Sequence, residues 1–97
     1  MSYWFHGTAE AEHLFRVQYY ESQRPGLGGK YLDDFDQTIA RICESPGRYK
    51  LVRSPDIRVE MFLTFPCSVI YREVNSNVQI LAVAHHRQRP GYWLARL

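Results

Sequence analysis

At 97 residues, with 45% hydrophobic and 14% aromatic content, the chain suits one domain with one core, burying roughly 65% of its unfolded surface without disulfides. No apolar run approaches the ~20 residues that span a bilayer, and Met1 to His6 lacks the basic opening and long apolar stretch of a signal peptide, so a cytoplasmic domain of residues 1–97 without a membrane anchor is expected. The net charge of +2 is unevenly spread: residues 1–46 hold four basic against seven acidic side chains, and residues 47–97 hold eight against three, which turns the C-terminal half toward an anionic partner.

In chain order, Tyr3-Trp4-Phe5 has the aromatic character of a short first strand, stopped by His6-Gly7. Thr8 offers an N-cap hydroxyl, and Glu10 and Glu12 place negative charge in the first turn of a helix expected from Ala9. Ala11, Leu14, Phe15 and Tyr19 form its predicted core-facing stripe. Pro25 and Gly26 end that helix. A second helix is expected just after Gly28-Gly29, with Tyr31, Leu32, Phe35, Ile39, Ile42 and Cys43 as its apolar stripe, ending at Ser45-Pro46-Gly47. Two helices joined by a Pro-Gly turn make an antiparallel hairpin whose apolar side needs a cover.

The C-terminal half supplies it. Ile57 to Thr64 alternates as a half-buried strand, with Ile57, Val59, Met61 and Leu63 on one face. Phe65-Pro66 interrupts, Cys67 to Val74 is extended, Asn75-Ser76-Asn77 is a turn, and Val78 to Ala84 is a further apolar strand. Tyr49 to Val52 is a candidate additional strand. The expected fold is α+β: a short N-terminal strand, an antiparallel two-helix hairpin on a three- to four-stranded mainly antiparallel sheet, and a short C-terminal helical segment.

Several motifs fail on inspection. Gly26-Leu27-Gly28-Gly29-Lys30-Tyr31 lacks the spacing, and the Ser or Thr after lysine, of a phosphate loop, and it lies between helices. Cys43 and Cys67 stand apart, and His6, His13, His85 and His86 have no ligand spacing beyond the adjacent pair, so neither metal nor cofactor is expected. There is no Gly-x-Ser-x-Gly elbow for a serine hydrolase. The unusual stretch is the end of the chain. His85, His86, Arg87, Arg89, Tyr92 and Trp93 put two imidazoles, two guanidiniums, a phenol and an indole within nine residues without an acid. Folding alone does not require such a cluster, and it suits phosphate, nucleic acid or an acidic protein surface.

This order of elements, with Tyr19-Tyr20-Glu21, Arg24-Pro25-Gly26-Leu27-Gly28, Phe35, the Phe65-Pro66 break, Val69-Ile70-Tyr71 and Leu81-Ala82-Val83-Ala84-His85, resembles a ParE toxin of the RelE/ParE superfamily over nearly the whole chain. The resemblance implies the toxin half of a type II toxin–antitoxin pair, neutralised by a small antitoxin whose C-terminal segment wraps the toxin. The acids of such a tail are expected at Arg53, Arg58 or Arg72. The ParE branch is associated with poisoning DNA gyrase, which makes His85, His86, Arg87, Arg89, Tyr92 and Trp93 the expected target-binding residues of a binding toxin. The RelE branch consists of metal-independent endoribonucleases acting on messenger RNA in the ribosome. For that alternative, His85 or His86 would serve as acid or base, Arg72, Arg87 and Arg89 would neutralise phosphate, and Tyr92 would stack or donate a proton. Ribonuclease members often carry an arginine where this sequence has Ser68, which weakens that alternative. No catalytic residue is assigned.

Overall fold

The computed structural model describes residues 1–97. The elements run β1 (Tyr3–Phe5), α1 (Gly7–Gln23), α2 (Leu27–Glu44), β2 (Lys50–Arg53), β3 (Ile57–Met61), β4 (Cys67–Val74), β5 (Asn77–His85) and a C-terminal 3-10 turn (Tyr92–Arg96). The expected α+β plan holds, and the N-terminal strand joins the sheet. The sheet has five strands in the order β1-β5-β4-β3-β2; β1 lies parallel to β5 and the remaining pairs are antiparallel. Asn75 and Ser76 turn β4 into β5 with φ of 52° and 64°, the left-handed conformation that a two-residue hairpin turn requires.

α1 begins earlier than Thr8 would place it. His6 is the N-cap, and its Nδ1 accepts from the Thr8 backbone N–H at 3.2 Å. The helix ends at Arg24, extended ahead of Pro25. Gly26 then turns the chain at φ 90°. The Glu21 carboxylate accepts from the N–H groups of Gly26 and Gly28, so a side chain of α1 caps the start of α2, where the helix dipole favours an anion. Gly28 is held against α1 so closely that a Cβ there would lie 2.9 Å from the Val17 carbonyl oxygen. This contact sets the spacing of the hairpin.

The stripe of α2 is as expected: Tyr31, Phe35, Ile39 and Ile42 are buried against Val69, Tyr71, Val78, Ile80 and Val83 of the sheet. The stripe of α1 is not. Leu14 and Phe15 are 56% and 59% exposed and Tyr19 is 46% exposed, while Ala9 and His13 are buried and Val17 and Tyr20 pack partly against the core. The reason is that His13 behaves as an aromatic core residue. Its ring lies 4.1 Å from Phe35 and 5.3 Å from Phe5 between centroids, and its Nδ1 is 3.1 Å from the Tyr31 hydroxyl.

β3 also stops short of its predicted end. The buried Asp34 carboxylate accepts from the backbone N–H groups of Leu63, Thr64 and Phe65 at 2.8 to 3.0 Å, bending the chain out of the sheet after Met61. Met61 and Leu63 are therefore exposed, whereas Phe62 turns into the helix-side core.

Burial lowers the His13 pKa from its ordinary 6.5, with Asp36 opposing the shift. The unfolded chain thus binds a proton below about pH 6.5 that the native chain refuses, so this histidine's contribution is present above that pH and is lost as pH falls through the window beneath it. Urea unfolding at about pH 7.5 and about pH 5.5 should show a fall in stability that shrinks in His13→Phe. An equal fall in the variant would place the acid-sensitive group elsewhere.

Candidate functional site

β4 and β5 are buried on both faces. One face carries the helices; on the other, Ile57, Ile70, Leu81 and Ala82 form a smaller cluster with Trp93. An irregularity in register opposite Ile70/Tyr71 lets both Leu81 and Ala82 join this second cluster. The chain beyond β5 folds back over the second face, and Trp93, 7% exposed, anchors it.

A second lock comes from α1. Glu12 accepts from the Val83 backbone N–H at 3.1 Å, from the Tyr92 hydroxyl at 2.6 Å, and from both terminal nitrogens of Arg96 at 2.8 and 3.0 Å. Arg96 also donates to the Leu81 carbonyl at 2.9 Å. One carboxylate therefore ties the helix, the last strand and the C-terminal turn together. Neither Glu12 nor Arg96 is identified as a site residue by sequence reasoning, because they stand 84 positions apart and Glu12 reads locally as a helix-dipole residue.

Between this folded-back segment and the sheet lies a groove of about 400 Å³. Val52, Val59, Ile70, Ala84 and Trp93 supply apolar walls, Arg53, His85, His86 and Arg89 the cationic or polar ones, and no carboxylate lines it. Five of the six predicted target-binding residues, His85, His86, Arg89, Tyr92 and Trp93, meet here; Arg87 does not, and faces α1 with Phe15, Arg16 and Tyr19. Arg89 and Arg53 are exposed and form neither of the two ion pairs in the structure, so their charge is free for a ligand.

His85, His86 and Tyr92 each make one side-chain hydrogen bond within the protein. The Arg87 backbone N–H donates to His85 Nδ1 at 3.1 Å, which places the proton of the neutral ring on Nε2. Burial first, then the charges of Arg16 and Arg87, lowers the His85 pKa, so near pH 7 the ring is a neutral N–H donor. His86 Nε2 lies 3.0 Å from the Ser68 hydroxyl. Burial, reinforced by the hydrogen bond to Glu12, pushes the Tyr92 phenol far above its usual range. Trp93 is the groove's buried wall, with little surface left to present. The arrangement offers a shaped apolar slot with cations at its rim.

The three arginines expected to meet an antitoxin divide between faces. Arg58 pairs with Tyr71 on the helix side and donates to the Tyr49 carbonyl at 2.8 Å. Arg72 pairs with Gln79 and donates to its Oε1 at 3.0 Å, on the face opposite Tyr71 because side chains alternate along a strand. Arg53 pairs with Ile57 and lines the groove. No three His, Cys, Asp or Glu side chains gather in a metal-binding arrangement, and no helix is long and apolar enough to cross a membrane.

Comparison with known proteins agrees with this architecture. Residues 5–90 match the family model "ParE toxin of type II toxin-antitoxin system, parDE". No curated protein matches the sequence significantly. Among solved structures, a chain of the chromosomal ParDE toxin–antitoxin system from P. aeruginosa superposes with a TM-score of 0.73 at 19% identity, covering 88% of this chain and 95% of that one, which is likeness of fold. With 86 consecutive positions matched, from residue 5 to residue 90, the chain belongs to the ParE toxin family of type II toxin–antitoxin systems.

Proposed function

We propose that this ParE-family chain is a cytoplasmic toxin that inhibits DNA gyrase by binding, with the groove beneath the C-terminal turn as its target-gripping surface, and that a cognate antitoxin neutralises it. Family membership supports the toxin role and the antitoxin partner. The observation that carries the mode of action is the groove's chemistry: free guanidiniums of Arg53 and Arg89 flank an apolar slot, while the His85 Nδ1 lone pair and the Tyr92 hydroxyl are already bonded within the protein. Cations around an apolar anchor site hold an acidic protein surface. Cleavage of RNA would need a free base and acid at the phosphate. An acidic antitoxin tail lying across the open face would meet Arg72 and Arg53, with Arg58 out of its reach on the helix side.

His86→Ala with Arg89→Ala should raise the concentration needed to inhibit gyrase supercoiling by about tenfold or more, with the fold and co-purification of the antitoxin retained. The assay is run beside a cell-free translation reaction. Undiminished gyrase inhibition by the variant would move the target site off the groove, and message cut by the wild-type chain would replace poisoning with ribonuclease action.

A further inference from the structure

The loop after β5 distributes its polar side chains to two sides. Arg89 and His86 serve the groove, but Arg87 turns toward α1, where a hollow of about 340 Å³ is lined by Phe15, Arg16, Tyr19, His85, Arg87 and Gln88. Arg16 is the centre of this second surface. Its Nη2 donates to Gln88 Oε1 at 2.9 Å, and the same oxygen accepts from the His85 backbone N–H at 2.8 Å. Its buried Nε has no acceptor at all, and no carboxylate pairs with Arg16 or Arg87. A guanidinium partly withdrawn from water without an anion is an unfavourable arrangement in isolation, and an incoming anion relieves it.

Beside these cations stand two exposed rings. Phe15 and Tyr19 lie with centroids 6.3 Å apart and planes within 24° of parallel, and the Arg16 guanidinium sits 6.0 Å from the Phe15 centroid. These are two of the misplaced members of the predicted α1 stripe, and they remain 59% and 46% exposed.

We propose that the Phe15, Arg16, Tyr19 and Arg87 surface binds single-stranded nucleic acid, with the guanidiniums on a phosphate and the rings stacking on neighbouring bases. Half-exposed rings next to unpaired cations suit a strand with unstacked bases, and such stacking is tolerant of sequence. A duplex keeps its base faces covered, so it would engage the cations alone. An acidic peptide fits less well: β1 pairs with β5 only over Val78 to Ile80, and beyond it the Val83 and His85 backbone N–H groups are already taken by Glu12 and Gln88, so no free backbone donor lies beside the hollow to hold a peptide strand. This surface is separate from the gyrase reading and stands or falls without it.

The test is fluorescence anisotropy of the full 97-residue chain with a labelled single-stranded oligothymidylate of about a dozen nucleotides, against a duplex of equal length, ATP, and an oligoglutamate peptide. The expected result is a Kd on the order of 10 µM at low salt that weakens as salt rises, with the duplex, ATP and the peptide all bound more weakly. Tyr19→Ala with Arg87→Ala should weaken strand binding by about tenfold or more. Arg87→Glu alone, a change in an exposed loop, should also weaken it severalfold. Arg48→Ala, which removes an equal charge elsewhere, should change it by less than about twofold. Absence of strand binding, a duplex held as tightly as the single strand, equal loss in Arg48→Ala and the double variant, or tighter binding of the peptide would each overturn the proposal, the last by making the surface a protein-docking site.

Discussion

Replacing Glu12 with alanine should destabilise the protein by about 3 kcal/mol, the loss expected when one partner of a largely buried ion pair is removed. The side chains of Arg96 and Glu12 are only 12% and 15% exposed, so little water is available to substitute for the carboxylate. The deletion strands three donors at once: the Val83 N–H, the Tyr92 hydroxyl and the Arg96 guanidinium. Because those donors belong to β5 and the C-terminal turn, the damage should be local as well as global, loosening the turn that buries Trp93. Arg96→Ala alone should cost less, since Glu12 keeps its two other partners. The double variant should be more stable than the sum of the single losses predicts, because removing both members leaves no uncompensated charge. Denaturant unfolding of the four proteins measures this directly. A loss below about 1 kcal/mol for Glu12→Ala would mean the pair is screened like a surface salt bridge.

The same network shows where sequence reasoning reaches and where it stops. Elements set by local chemistry were legible. The Ser45-Pro46-Gly47 stop and the Asn75-Ser76 turn lie where residue type alone places them, and the last apolar strand, expected over Val78 to Ala84, runs one residue further at each end. Features set by contacts across the chain were not. Asp34 ends β3 from 29 residues away, and Glu12 holds a residue 84 positions on; in sequence, both are ordinary acids on amphipathic helices. The terminal cluster was visible as a cluster, but its division into a groove-facing and a helix-facing set depends on which way a short loop turns its side chains. Pairing also decided the fate of the three arginines, since one register step along a strand reverses the face a side chain occupies.

His13 is the clearest case of a residue whose environment overrides its polarity, and it leads to the second large effect. Phe35→Ala should cost about 3–5 kcal/mol, lowering the melting midpoint by roughly 15 °C or more in a domain of this size. Phe35 is 1% exposed, and its ring meets Phe5 at 5.8 Å, His13 at 4.1 Å, Phe62 at 6.2 Å and Tyr3 at 6.3 Å between centroids. It therefore joins β1, both helices and the segment after β3 in one contact set. Truncation leaves a cavity that two helices and a sheet edge cannot all collapse into, and it removes the surface on which the His13 ring lies. Phe15→Ala makes the decisive comparison. It removes the same side chain from the neighbouring helix, and composition and periodicity assign both rings to the core. Phe15 is 59% exposed, so its loss should change stability by no more than about 0.5 kcal/mol. Equal destabilisation by the two substitutions would return the core face of α1 to the Leu14-Phe15-Tyr19 stripe, and would bury the aromatic pair on which single-strand binding depends.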